Sequence, residues 1–348
     1  MPGNLQSRRP RLLLVKLSSL GDVIHTLPTL EALRQAYPQA YLTWLVEAAY
    51  APLLTGHPAL DEVWPVPRVR RGQEVWGEDL RTLARLVHRV RAQDYDLVLD
   101  LQGLLKSALW VALARSPRKV GYNGTREGSY LVLTERVPPY NPDDHAVWRY
   151  LNLAHYLGAA PAPPRFRLGP AVPGASQILP DLGSRPLAVL HPGARWESKL
   201  WPAAAWARLA DWLSREKGLA VVLTGSGSDR ELAGAILAET TSPVLNLAGG
   251  TTLAELAAVL GQATLAVTTD TGPMHLAAAL GTPVAALFGP TAPWRTGPFG
   301  LGHQVVRLGL DCSPCFKRRC PEPRCLTELP LTAVQAACEK ILARQGLN

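Results

Sequence analysis

The chain is short of several features, and each shortage narrows what it does. No run among its 348 residues approaches the ~18 uninterrupted apolar positions of a membrane helix. The longest candidate, Leu276 to Phe288, is broken by Gly281 and Pro283. The 36 lysines and arginines form no long block, and no stacking-aromatic motif accompanies them. That argues against a nucleic-acid surface. No GxGxxG follows the first apolar run, which disfavours a standard dinucleotide site. Charged residues are only 18% of the chain against 47% hydrophobic, so disorder is excluded and sizeable cores are within reach. An export signal is lacking too. The apolar piece after the basic N-terminus is short and contains Lys16, and it reads as a buried strand. The expected location is therefore cytoplasmic. The net charge of +8 serves solubility or favours anionic partners such as phosphorylated substrates.

What is present is an alternation of strands and helices, over a length that suggests two domains. Continuous apolar runs at Arg11 to Leu17, Tyr41 to Val46, Val63 to Val66 and Tyr95 to Leu101 predict strands buried on both faces. A further short strand lies near Lys119 to Gly121. Between them, Leu27 to Ala36, Asp79 to Ala92 and Ser107 to Ala114 have helical character. A Pro/Gly-rich stretch follows, and residues 166–186 are assigned to a linker. A second alternating unit starts with the strand Leu187 to His191 and continues through strands at 219–224, 244–247, 265–268 and 284–288. Its helices are predicted at 201–216, 229–239, 253–260 and 274–279. The tail from Thr332 to Arg344 is amphipathic. The fold class is α/β, with two doubly wound parallel sheets, in domains 1–165 and 187–330 and a terminal segment 331–348.

Ligands of such sheets bind beyond the carboxyl ends of the strands, where four loops stand out. In Lys16-Leu-Ser-Ser-Leu-Gly-Asp22, Gly21 permits a tight turn, and Asp22 either caps the following helix or serves as a general base. In the loop from His191 to Pro202, Arg195 and Lys199 follow a strand and precede a helix, an arrangement suited to a diphosphate, or to solvent alone. In Thr268 to His275, a strand ends and a helix opens, so Asp270, Thr271 and Gly272 either form an anion site or simply cap. His275 is one turn further on, at a position equally suited to the core. In Thr224-Gly-Ser-Gly-Ser-Asp229-Arg-Glu231, either acid fits a ribose hydroxyl pair or the first turn of a helix.

Taken together, these loops resemble the lipopolysaccharide heptosyltransferases of glycosyltransferase family 9, most closely the heptosyltransferase I type. The stretches that carry the resemblance are VKLSSLGDVIHTLPTLEALRQAYPQA, LVLDLQGLLKSAL at 97–109, REGSYL at 126–131, HAVWR at 145–149 and TDTGPMHLAAALGTPVAALFGPT at 269–291. The resemblance implies the GT-B fold, two Rossmann-like domains facing across a cleft, with the final helix returning to the first domain. It implies metal-independent, inverting transfer of heptose from ADP-heptose to the Kdo region of the lipopolysaccharide inner core, with no cofactor. By motif, Asp22 matches the catalytic base and Lys199 the donor-phosphate lysine. Asp270, Thr271, Gly272 and His275 match the donor-site block, and Arg195, Asp229 and Glu231 are donor candidates from the residue types of their own loops. Lys16, Ser18, Ser19 and Gly21 are acceptor candidates from the first loop, and the acidic acceptor makes Arg68, Arg70, Arg71, Arg126, His145 and Arg149 candidates too, or else plain surface charges. The lipid acceptor, Kdo-lipid A, implies peripheral contact with the cytoplasmic face of the inner membrane. The alternatives are heptosyltransferase II, another family 9 transferase, or a nucleotide-sugar binding protein.

Two segments depart from the heptosyltransferase I pattern. Ala194 and Arg195 stand where paired threonines are expected. The segment CSPCFKRRCPEPRC at 312–325 is more like heptosyltransferase II and other members. Its cysteines, Cys312, Cys315, Cys320 and Cys325, have the number for a metal but not the spacing of a common zinc ribbon. A reduced loop or a reversible disulfide is the competing expectation.

Overall fold

The computed structural model describes residues 9–68, 77–170, 178–179 and 185–347. The chain divides into two compact units, Met1–Ala171 and Val172–Asn348. Most of the expected linker, 171–177 and 180–184, lies outside the described residues. Its start belongs to the first unit: the Gly169 N–H donates to the Leu53 carbonyl at 2.8 Å.

The first unit runs β1 (Arg11–Val15), α1 (Leu20–Ala36), β2 (Tyr41–Glu47), β3 (Glu62–Val66), α2 (Gly77–Arg91), β4 (Leu97–Asp100), α3 (Leu105–Leu113), β5 (Lys119–Tyr122), β6 (Glu135–Val137) and α4 (Ala146–Tyr156). The second runs β7 (Leu187–His191), α5 (Ala203–Arg215), β8 (Ala220–Leu223), α6 (Arg230–Glu239), β9 (Val244–Asn246), α7 (Leu253–Gln262), β10 (Leu265–Thr269), α8 (Gly272–Ala279), β11 (Val284–Leu287), α9 (Pro293–Thr296), β12 (Gln304–Val306), α10 (Arg324–Thr327) and α11 (Leu331–Ala343). The sheets have strand orders β3-β2-β1-β4-β5-β6 and β12-β11-β10-β7-β8-β9, and every pairing is parallel. The two orders are the same doubly wound pattern, with its switch point beside β1 in one unit and beside β7 in the other. The central strands are buried and mostly apolar, with polar residues only at their ends, because helices cover both faces. Each fully buried Leu or Val contributes roughly 1.5–3 kcal/mol relative to leaving it in water.

Helix α1 begins at Leu20, seven residues before the expected start. Pro28 resembles a first-turn proline but lies inside the helix, where it removes one backbone hydrogen bond. The actual start is set by Ser19 and Asp22, as shown below. Helix α4 and the three-residue edge strands β6 and β12 were not expected, the strands being too short to show a period. The terminal helix α11 covers residues of the amphipathic tail expected at Thr332 to Arg344. It packs on β10, β11, β12 and α5, with Val334, Cys338, Ile341 and Leu342 buried in the second unit's core. Its one apolar face is used there.

Candidate active site

In the first unit the loop after β1 is held from below by β4. Asp100 Oδ1 accepts from the N–H groups of Gln102 and Gly103, both at 3.0 Å. Gly103 turns there with φ +68°, a conformation a side chain would strain. Gln102 Oε1 in turn accepts from the N–H of Leu17 at 3.1 Å and of Ser18 at 3.0 Å. The loop therefore delivers Ser19 and Asp22 to the N-terminus of α1 in a fixed pose.

Asp22 Oδ2 accepts from the Ser19 N–H at 3.0 Å and the Ser19 hydroxyl at 2.8 Å, so the carboxylate does cap the helix. Its other oxygen has different partners. Tyr150, from α4, donates its hydroxyl to Oδ1 at 2.7 Å. Lys16 Nζ stands 3.8 Å from the same oxygen. It donates to Tyr150 Oη at 2.7 Å and to the Leu101 carbonyl at 3.0 Å. The ammonium also lies 4.0 Å from the Tyr150 ring centroid. The lysine side chain is 1% exposed and the aspartate 37%. Lys16 thus stands sealed beneath the carboxylate.

These contacts set the charges. Burial alone would raise the Asp22 pKa, but Lys16, the Ser19 N–H and hydroxyl and the Tyr150 hydroxyl outweigh it and lower it to about 2. Burial lowers Lys16 to about 8, against the pull of Asp22 and Asp100. Burial and Asp22 together push the Tyr150 hydroxyl well above its usual value, so it remains a donor. At neutral pH the cluster is a carboxylate, a phenol and an ammonium in one hydrogen-bonded chain.

The other expected acceptor residues have partners of their own. Ser18 Oγ accepts from Lys106 Nζ, which also bonds Glu47 Oε1 at 2.7 Å. Arg68 Nε stands 3.9 Å from Glu47. Gly21 is buried in the first turn of α1. His145 caps α4, accepting at Nδ1 from the Val147 N–H at 3.3 Å, and its ring meets His25 edge-on with centroids 5.2 Å apart. Arg149 lies over the Tyr140 ring at 4.9 Å. Arg126 is 85% exposed, 3.4 Å from Glu127. Arg70 and Arg71 lie outside the described residues.

The second unit has its own lysine–aspartate pair. Lys199 Nζ donates to Asp270 Oδ2 at 2.6 Å and to the Asp270 carbonyl at 3.1 Å. Thr291, after β11, donates its hydroxyl to Oδ2 at 2.6 Å. Here the aspartate side chain is 6% exposed and the lysine 14%. The ammonium also lies 4.5 Å from the Trp196 ring centroid. Thr271 is the N-cap residue of α8 and Gly272 its first residue, which leaves helix N-terminal N–H groups beside the lysine's partner. His275 is buried one turn on. Asp229 Oδ2 accepts from the Ser226 N–H at 2.7 Å and the Ser226 hydroxyl at 2.6 Å, at the entry to α6. A Cβ at Gly193 would lie 2.5 Å from the Asp229 carboxyl carbon, so the glycine lets the loop after β7 approach that acid. Glu231 is exposed in the first turn of α6, and Arg195 is exposed in the loop after β7.

Sequence reasoning missed Tyr150, Lys106, Thr291 and Trp196. Thr291 stands within a quoted motif, and Trp196 stands between two chosen cations. Tyr150 depended on a helix that was not expected. The five cysteines are free thiols, and among the described residues no group of three or more His, Cys, Asp or Glu side chains is arranged to hold a metal ion.

Each of the two doubly wound units thus carries a lysine–aspartate pair in the loops beyond its strands' carboxyl ends. Residues 83–326 match the model of glycosyltransferase family 9 (heptosyltransferase), and the chain belongs to that family. It is 38% identical over 330 residues to lipopolysaccharide heptosyltransferase 1 of Pseudomonas aeruginosa, spanning 89% of this chain and 87% of that one. Among solved structures, Escherichia coli ADP-heptose lipopolysaccharide heptosyltransferase II superposes with a TM-score of 0.77 at 28% identity, covering 97% of this chain and 99% of that one. Escherichia coli heptosyltransferase WaaC with ADP-2-deoxy-2-fluoro heptose gives 0.75 at 29% identity, covering 95% and 99%. The chain is a glycosyltransferase with the GT-B fold.

Proposed function

We propose that the protein transfers heptose from ADP-heptose to the Kdo region of the lipopolysaccharide inner core, with inversion at the anomeric carbon, as a heptosyltransferase of the first type. The supporting relatives are the Pseudomonas heptosyltransferase 1 and the WaaC complex with a fluorinated ADP-heptose. The observation that carries the mechanism is the 37% exposure of the Asp22 side chain over a sealed lysine.

The acceptor hydroxyl attacks the anomeric carbon on the face opposite ADP. The new C–O bond forms as the bond to the ADP oxygen breaks, and the hydroxyl proton passes to Asp22. A carboxylate with a pKa of about 2 is a weak base, yet it suffices. As the bond forms, the attacking oxygen becomes an oxonium, a far stronger acid than Asp22. The low pKa keeps the carboxylate ionised and therefore ready. The departing diphosphate gains charge, which Lys199, Arg195 and the N–H groups opening α8 stabilise. Asp229 and Glu231 serve the ribose. Arg68, Arg126, His145 and Arg149 receive the acidic acceptor, together with Lys106 beside Ser18. No described helix is long and apolar enough to cross a membrane. Cytoplasmic enzyme meeting the inner membrane at its acceptor-binding unit is the arrangement this chemistry needs.

The test is transfer by purified protein from ADP-heptose, UDP-sugars and GDP-sugars to Kdo-lipid A, with and without a first heptose. Transfer from ADP-heptose to the bare acceptor is expected. Transfer only to the acceptor already carrying heptose would support the second type, which Arg195 and the cysteine segment favour. Donor binding without transfer to either acceptor would leave a binding protein.

A further inference from the structure

The cysteine-rich segment is not used by the mechanism above, yet the fold brings it to the donor lysine. Its sequence brackets three cations, Lys317-Arg318-Arg319, between Cys315 and Cys320. One side of the segment is fixed beyond the carboxyl end of β11. The N–H groups of Cys315 and Phe316 donate to the Pro290 carbonyl at 3.0 and 2.8 Å, and the Ser313 hydroxyl donates to the Gly289 carbonyl at 2.6 Å. Cys325 packs so closely on Gly289 that a Cβ there would lie 2.9 Å from its Sγ. The other side is fixed by Ser198, which is buried beside Lys199. Its hydroxyl donates to the Lys317 carbonyl at 2.7 Å and its N–H to the Arg318 carbonyl at 3.4 Å. A buried serine thus spends both donors on the backbone that carries the cations.

The outcome is one indole shared by two cations. The Arg318 guanidinium lies 5.6 Å from the Trp196 ring centroid, and Lys199 Nζ lies 4.5 Å from the same centroid. Arg195, Trp196, Glu197, Arg318 and Arg319 line an open cavity of about 230 Å³. Three arginines face one glutamate there, and Glu197 stands 3.7 Å from Arg319. A positive, solvent-open cavity of planar guanidinium forks suits a phosphoanion.

We propose that the 312–325 segment is part of the donor site, and that Arg318 and Arg319 join Arg195 in holding the diphosphate next to Lys199. The inference rests on the nucleotide-sugar donor of the proposed function. It gives a use to both departures from the heptosyltransferase I pattern: Arg195 stands in place of a threonine, and the cysteine segment supplies its neighbours.

The experiment is calorimetric titration of ADP into the whole protein, the Arg318→Met/Arg319→Met double variant and Ser198→Ala. Both arginines are exposed, so the double variant removes charge without opening the core. Thermal melts of each variant establish that it is folded. The double variant is expected to bind ADP about tenfold more weakly or worse, the scale of losing charge-assisted bonds to phosphate. Ser198→Ala, which keeps both charges and removes only one anchor, is expected to lose affinity in the same direction by less. Unchanged ADP affinity in the folded double variant would overturn the inference while leaving the donor reading intact. Failure of the wild-type protein to bind ADP would overturn both.

Discussion

The two units solve opposite electrostatic problems with the same pair of residue types. In the first, the lysine is sealed at 1% exposure and the aspartate stands open at 37%. In the second, the aspartate is buried at 6% and the lysine is the more open partner at 14%. Each buried member neutralises and orients the other. Under the proposed function, the first unit offers an anion to an incoming proton, and the second offers a cation to a departing phosphate. The third members differ to match. Tyr150 bridges lysine and aspartate in the first unit, and Thr291 donates only to the aspartate in the second. A lysine–aspartate ion pair is therefore no dead end for either residue; which member faces out decides what it does.

Breaking each pair at its outward member should have the largest effects. Asp22→Asn keeps the shape and the Ser19 cap but cannot accept the proton, and kcat is expected to fall by about 10²–10⁴-fold in steady-state transfer assays. Lys199→Met is expected to lower kcat/KM for the donor by roughly 10²–10³-fold, with the KM for the acceptor nearly unchanged. A smaller effect sharpens the comparison. Tyr150→Phe retains the ring over Lys16 and removes only the hydroxyl. The Asp22 pKa should then rise from about 2, and the acid limb of kcat/KM should move up by about one pH unit. A fall in kcat with an unmoved acid limb would reduce Tyr150 to packing.

The smallest effect is on stability. The Asp22 pKa is depressed in the folded state, so its contribution is complete above the ordinary value of 3.8 and is lost as pH falls towards 2. Lys16 is also depressed, from 10.5 to about 8. The unfolded chain binds more protons between those values, so burying this lysine costs less as pH rises from 8 to 10.5. In melts of Lys16→Met against wild type, the difference should shift in wild type's favour over that alkaline interval.

Much of this was legible in the sequence, and the rest follows a physical divide. The strands β1, β4, β7 and β10 show as apolar runs because both faces of each sheet are covered. Asp22, Lys199 and Asp270 follow such runs, so their place at the strand ends could be read. What could not be read is contact across the chain. Tyr150 reaches Asp22 over 128 positions, and the buried run that contains Lys16 gave no sign that its ammonium would meet Tyr150 and the Leu101 carbonyl. The spacing of Val147, Leu151 and Ala154 does carry a helical period, and it was the available signal for α4. The terminal helix was amphipathic as expected, but amphipathicity does not name the surface it covers. The pairing of Ser198 with the cysteine segment is likewise a tertiary fact, 119 positions apart.

The division of labour between the two pairs can be tested by titrating ADP into Asp22→Asn and Lys199→Met side by side. The account predicts that Asp22→Asn binds ADP within about twofold of wild type, since the aspartate meets only the acceptor, whereas Lys199→Met loses about tenfold or more of a charge-assisted contact. Equal losses in both variants, or a loss confined to Asp22→Asn, would contradict it.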